Sequence, residues 1–208
     1  MSNLLKRLIS SLILIPIVIF LIIQGSYLLL LFTLLCFFIS CYEWYYLTQN
    51  QLHKIYGYLL IFFSFYSFYK LSSDTSLVFF VILICISTDI GGYIFGNVFK
   101  GPKLTKISPK KTYAGMIGSY LFSLISLFIA YNLYDYSLMI NKIFLLTIII
   151  STVSQIGDLI ISYFKRLSKV KDTGKIIPGH GGLLDRIDGM IFTFPIIFLI
   201  QLAGYLHI

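Results

Sequence analysis

Charge is what this sequence has least of. Asp, Glu, Lys and Arg make up 12% of its 208 residues, against roughly 25% in a soluble domain, and mean hydropathy is +0.91. A soluble globular fold is thereby excluded and a membrane protein indicated. Cysteine is scarce as well: Cys36, Cys41 and Cys85 each lie within an apolar run, where a small packing side chain is the ordinary role, so neither a disulfide framework nor a thiolate metal site follows. Lys6-Arg7 ahead of a long apolar run mimics a secretory signal, but no small-residue cleavage site follows and further spans do. That run is read as the first span. Low-complexity segments and convincing repeats are lacking too.

What the chain has in abundance is apolar stretches, near 8–24, 27–47, 56–70, 75–96, 114–133, 143–163 and 189–206. They predict an all-α, polytopic membrane protein of about seven transmembrane helices, the third short enough to be tilted or interfacial. Residues 1–208 then form a single membrane domain with no room for a separate soluble one. If all seven stretches cross, the N-terminus, the 48–55 loop and the loops at 97–113 and 164–188 share one side. Those segments hold 14 of the 16 Lys and Arg residues, leaving only Lys70 and Lys142 opposite. The positive-inside rule makes that side, and the N-terminus, cytoplasmic. The net charge of +8 therefore reports topology and anionic partners, and nucleic-acid binding is not indicated. Trp44, Tyr45 and Tyr46 read as an interfacial aromatic belt at the inner end of the second span.

Carboxylates number only eight: Glu43, Asp74, Asp89, Asp135, Asp158, Asp172, Asp185 and Asp188. Asp74 and Asp135 fall in outer loops, where a solvated charge explains them. Asp89 and Asp158 lie several residues inside apolar spans, where an ionised carboxylate must pair, bind a cation or line a wet cavity. Gly92 and Gly96 form a small-xxx-small pair beside Asp89, which serves either close packing within the chain or a homodimer interface. Asp185 and Asp188 are i and i+3, so on a helix starting after Gly181-Gly182 they share a face and can converge on one cation, with Asp158 a third ligand from the preceding span. Oxygen ligands without Cys and with few His favour magnesium over zinc. The plainer alternative is that Asp185 and Asp188 cap the last helix and match its dipole.

Bases crowd the same segment: Lys165, Arg166, Lys169, Lys171, Lys175 and Arg186, with Lys110-Lys111 in the other inner loop. Topology alone explains about half of them. Pro178-Gly179-His180-Gly181-Gly182 adds a turn whose amides can approach phosphate oxygens, followed by a helix N-terminus that favours anions. His180 either bonds a phosphate or transfers a proton, or is a turn residue satisfied by its own backbone. Together these features suit metal-dependent phosphoryl transfer on the cytoplasmic face, between the 97–113 and 164–188 loops.

At this point the residues resemble the phosphatidate cytidylyltransferase family, also called CDP-diacylglycerol synthase. The family pattern is met by Ser162, Lys165-Arg166, Lys171-Asp172, Gly174, Pro178, His180-Gly181-Gly182, Asp185-Arg186 and Asp188, and a second block covers Asp89, Gly92, Tyr93, Gly96 and 107–115. The likeness spans about residues 85 to 192. One position departs: the family usually carries Glu before the serine of its motif, and here Ile161 stands there. The resemblance implies that CTP and phosphatidate, a membrane lipid, give CDP-diacylglycerol and pyrophosphate in a multi-pass cell membrane. A compatible mechanism has a phosphatidate oxygen attack the α-phosphorus of CTP, while a cation held by Asp158, Asp185 and Asp188 polarises that phosphate. Lys165, Arg166, Lys171, Arg186, Lys110 and Lys111 would neutralise phosphate charge. Asp89 and Asp172 would support the shell or bind a second cation, monovalent or divalent. Ser162, Gly181 and Gly182 would contact substrate.

Two rivals remain from the residues themselves. A cation-coupled transporter would use Asp89 and Asp158, but such sites sit near mid-membrane between repeated halves, whereas here the polar cluster hugs one face. Another lipid-phosphate enzyme, such as a CTP-dependent lipid kinase or a CDP-alcohol phosphotransferase, would share the chemistry. The Asp-Gly-Ala-Arg core of the latter is absent from the sequence.

Overall fold

The computed structural model describes residues 3–105, 108, 111–134, 140–177 and 181–205. Among them it is all-helical, with α1 (Asn3–Gln24), α2 (Ser26–Leu47), α3 (Gln51–Leu71), α4 (Thr75–Val98), α5 (Tyr113–Tyr134), α6 (Ile140–Leu167) and α7 (Leu184–Leu202). Each expected apolar stretch coincides with a helix over most of its described length. Among the described residues, four segments are long and apolar enough to cross a membrane: Ser26–Leu47, Thr75–Val98, Tyr113–Ala130 and Asn141–Leu167. Their outward apolar side chains, such as Leu31, Phe38 and Leu121, are exposed, as a lipid-facing surface requires.

Local hydrogen bonds explain several boundaries, two of which, the start of α3 and the end of α6, differ from expectation. Asn50 caps α3, its Oδ1 accepting from the Leu52 N–H at 2.9 Å, so the helix starts at Gln51 and its 21 residues extend for about 31 Å. It is not a short element. Asp74 likewise caps α4 by accepting from the Leu77 N–H at 3.0 Å, which gives this acid a task beyond solvation. The helix α6 continues to Leu167, so Lys165 and Arg166 are helical rather than in the loop. It stops where Lys169 turns left-handed, at φ 56. There Val170 N–H donates to the Lys165 carbonyl at 2.9 Å and Lys169 N–H to that of Arg166 at 3.1 Å, the C-terminal closure usually built on glycine.

Two glycine seams set the helix spacing. Across α4 and α5, a Cβ at Gly115 would lie 2.8 Å from the Gly92 carbonyl oxygen, and one at Gly96 would lie 3.8 Å from Gly115 Cα. The small-xxx-small pair is therefore consumed within the chain. Across α6 and α7, a Cβ at Gly157 would lie 2.9 Å from the Asp188 carbonyl oxygen, and one at Gly189 would lie 3.1 Å from Ser154 Cβ. Such backbone approach brings Asp158 and Asp188, each one residue from a seam glycine or on it, toward a common region.

The apolar core forms two clusters. One gathers Leu71, Val78, Ile84, Ile150 and Ile197 from α3, α4, α6 and α7. The second joins Trp44 and Leu47 of α2, Ile61 of α3, Ile161 of α6 and Leu184 and Ile191 of α7. Trp44 thus corrects the aromatic-belt expectation. It is 4% exposed, stacks edge-on against Phe164 at 4.8 Å and donates from Nε1 to the His53 carbonyl at 3.2 Å. Tyr45 and Tyr46 remain outside, exposed.

The seam predicts a sharp contrast between glycines. Gly115→Val forces backbone against backbone and should cost about 1–3 kcal/mol, or more. Gly101→Ala meets nothing within 4 Å and only strains a φ of +97, costing about 1 kcal/mol. Thermal melting of the detergent-solubilised variants checks this; equal midpoints would discard the seam as a determinant of stability.

Candidate active site

The C-terminal ends of α2, α4 and α6 and the N-terminal ends of α5 and α7 meet at one end of the bundle, and the polar side chains are gathered there. The loop between α4 and α5 folds back through a bridge between Lys103 and Thr112. Leu104 N–H donates to the Lys111 carbonyl at 2.8 Å, and Tyr113 N–H to that of Pro102 at 3.2 Å. Thr112 then caps α5, its Oγ1 accepting from Gly115 N–H at 3.1 Å. This hairpin turns Lys111 inward, where its Nζ lies 2.5 Å from Asp158 Oδ2.

Beneath the hairpin is a cavity of about 300 Å³, at the lower end of the range for small-molecule sites. Asp89, Gly92 and Tyr93 of α4, Ser108 and Lys111 of the hairpin, and Gln155, Asp158 and Ser162 of α6 line it. Along α6, Asp158, Ser162 and Lys165 fall at i, i+4 and i+7, one face of the helix. Ser162 Oγ donates to Asp158 Oδ1 at 3.2 Å. The cavity floor is held by neutral hydroxyls: Thr88 Oγ1 donates to Ser151 Oγ at 3.1 Å and Ser119 Oγ to the Thr88 carbonyl at 2.8 Å.

Asp89, Asp158 and Asp188 lie within electrostatic reach of one another, with Lys111 and Arg186 acting on Asp89 and Lys165 on Asp188. Asp188 is buried, and its Oδ1 accepts from Gly189 N–H at 2.8 Å. The three acids therefore act on one another, and Lys111, Lys165 and Arg186 set positive charge beside them.

Asp185 has a different setting. It lies one turn before Asp188 on α7, as the i, i+3 spacing requires, yet its oxygens are filled from within the chain. Lys165 Nζ donates to Oδ1 at 2.8 Å. Onto Oδ2 converge Thr173 N–H at 2.7 Å, Thr173 Oγ1 at 3.1 Å and Gly182 N–H at 3.1 Å. The bond from Gly182, three residues earlier, satisfies an amide just ahead of α7, and an acid in the first turn also suits the helix dipole. Among the described residues, no three His, Cys, Asp or Glu side chains stand close enough together to hold a metal ion as they are.

Glu43, to which the sequence pointed no role, is fully buried at 1% exposure. Its Oε1 accepts from Leu183 N–H at 2.8 Å, and its Oε2 from Leu184 N–H at 2.8 Å and Thr173 Oγ1 at 3.0 Å. The amides at the start of α7, expected to greet a phosphate, are here taken by Glu43 and, at Gly182, by Asp185. A side chain at Gly182 would also press on Glu43, its Cβ 2.5 Å from Oε2, which gives that glycine a packing reason. Gly181 adopts φ +90, the left-handed region that favours glycine. The signal for Glu43 was legible in principle, since an acid inside an apolar helix needs donors, but its donors come from residues some 130 positions away.

The remaining expectations separate by exposure. Arg166 is exposed, its Nη1 donating to the Val170 carbonyl at 3.5 Å, and Lys171, Asp172 and Arg186 are exposed. Asp172 Cβ would lie 3.3 Å from a Cβ at Gly181, beside Asp185. Ile161 is 2% exposed within the second apolar cluster, where an acid would lack partners. Lys110 and His180 lie outside the described residues.

Residues 56–203 match the family model described as the cytidylyltransferase family. A phosphatidate cytidylyltransferase of Rickettsia conorii is 35% identical over 214 residues, covering 97% of this chain and 92% of that protein. The protein of that name from Rickettsia typhi is 41% identical over 177 residues, 77% of this chain and 75% of its own length. One from Staphylococcus haemolyticus is 44% identical over 139 residues. The chain spans about half the length of this last relative, at 54%.

The buried pair makes a stability prediction. Lys165→Met strands Asp185, whose side chain is 5% exposed, and should cost about 3 kcal/mol, tempered by the three neutral donors that remain. Lys165→Met combined with Asp185→Asn should recover part of that loss. Additive losses in thermal melting would mean that the pair carries no coupling.

Proposed function

Since the chain belongs to the cytidylyltransferase family, we propose that it transfers the cytidylyl group of CTP to phosphatidate, giving CDP-diacylglycerol and pyrophosphate for phospholipid synthesis. The observation that carries this reading is the likeness, over 97% of the chain, to a protein named for that activity. A phosphatidate phosphate oxygen attacks the α-phosphorus of CTP; the new P–O bond forms as the bond from that phosphorus to the bridging oxygen breaks, and pyrophosphate departs with the electron pair. No side-chain nucleophile is required, because the lipid phosphate is already an anion.

The cavity beneath the 99–112 hairpin is the place proposed for the reacting phosphates. There Lys111, leaving Asp158, would meet phosphate oxygens, and Lys165 and Arg186 would approach from α6 and α7. Lys110, Arg166, Lys171 and His180 are proposed as contacts to the outer phosphates. Ser162 orients Asp158. Asp89, which lines the cavity, and Asp172, which stands with Asp185 beside Gly181, are proposed to support the shell, and the Gly181-Gly182 turn is proposed to bear against substrate from the α7 side.

Magnesium is the proposed cofactor. The donor set fits it chemically: hard carboxylate oxygens gather positive charge, and the ammonium groups of Lys111 and Lys165 already stand against Asp158 and Asp185 as a cation would. Asp158, Asp185 and Asp188 would hold it, and a second cation, monovalent or divalent, would sit by Asp89 or Asp172. The ion would supply Lewis-acid stabilisation of charge on the transferring phosphate.

Seven crossings with a cytoplasmic N-terminus are proposed from the Lys and Arg asymmetry. This orientation would open the site to cytoplasmic CTP and to a lipid head group in the inner leaflet.

Purified protein supplied with phosphatidate, α-labelled CTP and magnesium should form labelled CDP-diacylglycerol and an equal amount of pyrophosphate. Asp158→Asn should lower the rate by about a hundredfold or more. Well-folded protein that makes no liponucleotide while consuming a different lipid or nucleotide would overturn the substrate assignment.

A further inference from the structure

Glu43 is a fully buried carboxylate that neither the reaction chemistry nor apolar packing employs. Its two oxygens meet three donors: the Leu183 and Leu184 amides at 2.8 Å each and the Thr173 hydroxyl at 3.0 Å. Two glycines admit it. A Cβ at Gly174 would lie 2.5 Å from Glu43 Oε1, and one at Gly182 the same distance from Oε2. A carboxylate suits this niche better than an amide, because three converging donors want an acceptor-only group and the start of α7 presents the positive end of its dipole.

The partners of Glu43 are also the partners of Asp185. Thr173 Oγ1 lies 3.0 Å from Glu43 Oε2 and 3.1 Å from Asp185 Oδ2, so its one proton serves both carboxylates. The Thr173 and Gly182 amides donate to Asp185 Oδ2 at 2.7 and 3.1 Å. Asp185 in turn faces Lys165. We propose that Glu43 of α2 is a positioning residue for the transfer site, holding Thr173, Gly182 and the start of α7 so that Asp185 keeps its orientation toward Lys165. This rests on the reading that Asp185 and Lys165 belong to that site.

The inference separates from simple structural support by what it does to turnover per folded molecule. Glu43→Gln, Thr173→Val, Thr173→Ser and Asp185→Asn are purified in detergent and measured for melting temperature, kcat per folded molecule and KM for CTP. Glu43→Gln and Thr173→Val should each lower kcat by about tenfold or more, the scale of one hydrogen bond to a charged group, with KM for CTP changed by no more than about twofold. Thr173→Ser, which keeps the hydroxyl, should recover most of the loss. A Glu43→Gln protein that melts earlier but turns over at the parental rate per folded molecule would overturn the proposal, as would Thr173→Ser failing as badly as Thr173→Val. If Glu43→Gln yields no folded protein, the two Thr173 variants decide the question. Parental activity in Asp185→Asn would instead remove the site reading beneath it, an outcome visible independently of Glu43.

Discussion

A carboxylate withdrawn from water has to find donors or opposite charge, and the polar end of this bundle is organised by that requirement. Glu43, Asp158, Asp185 and Asp188 come from three helices, and each meets it in its own way. Asp158 pairs with Lys111, Asp185 with Lys165 and a set of neutral donors, and Asp188 bonds the next amide on its own helix. Glu43 relies on amides at a helix start and a hydroxyl. Remove Lys165 from Asp185 and a buried charge is left without its counter-charge, where breaking a pair costs several kcal/mol.

Glycine makes the arrangement reachable. The α4–α5 seam at Gly92, Gly96 and Gly115 and the α6–α7 seam at Gly157 and Gly189 bring backbones close enough that short acidic side chains share one region. Lysine supplies the reach from outside it, because a flexible four-carbon stem can cross from the hairpin to α6 where a carboxylate cannot. The result is two connected zones. The cavity side holds Asp89, Lys111, Asp158 and Ser162, and the α7 side holds Glu43, Thr173 and Asp185, with Lys165 spanning between Asp185 and the region of Asp188.

Such a layout suits a reaction whose difficulty is charge. Cytidylyl transfer brings several phosphate groups together, and catalysis of that kind depends on positioning and on counter-charge more than on covalent chemistry. Paired acids and bases at one end of a membrane bundle supply both, since the lysines are already oriented by the carboxylates they would leave.

Much of this was legible in the residues. Seven apolar stretches became seven helices because hydrophobic length is a local property, and the Asp185–Asp188 spacing put both acids on α7 because helix periodicity is fixed at 3.6 residues per turn. The seam role of Gly92 and Gly96 was one of two open readings, and only the docking of α5 settled it. Trp44 looked interfacial from its neighbours, yet a pocket left by other helices buried it. Glu43 signalled only that an acid inside an apolar helix needs donors and not which ones, because they lie on Thr173, Leu183 and Leu184 and a buried polar group is defined by partners that sequence proximity does not reveal. By itself the sequence determined which segments are apolar and which acids and bases have to be accounted for. The tertiary structure alone decided who satisfies whom, since hydrogen bonds and ion pairs are made across space at about 3 Å and not along the chain.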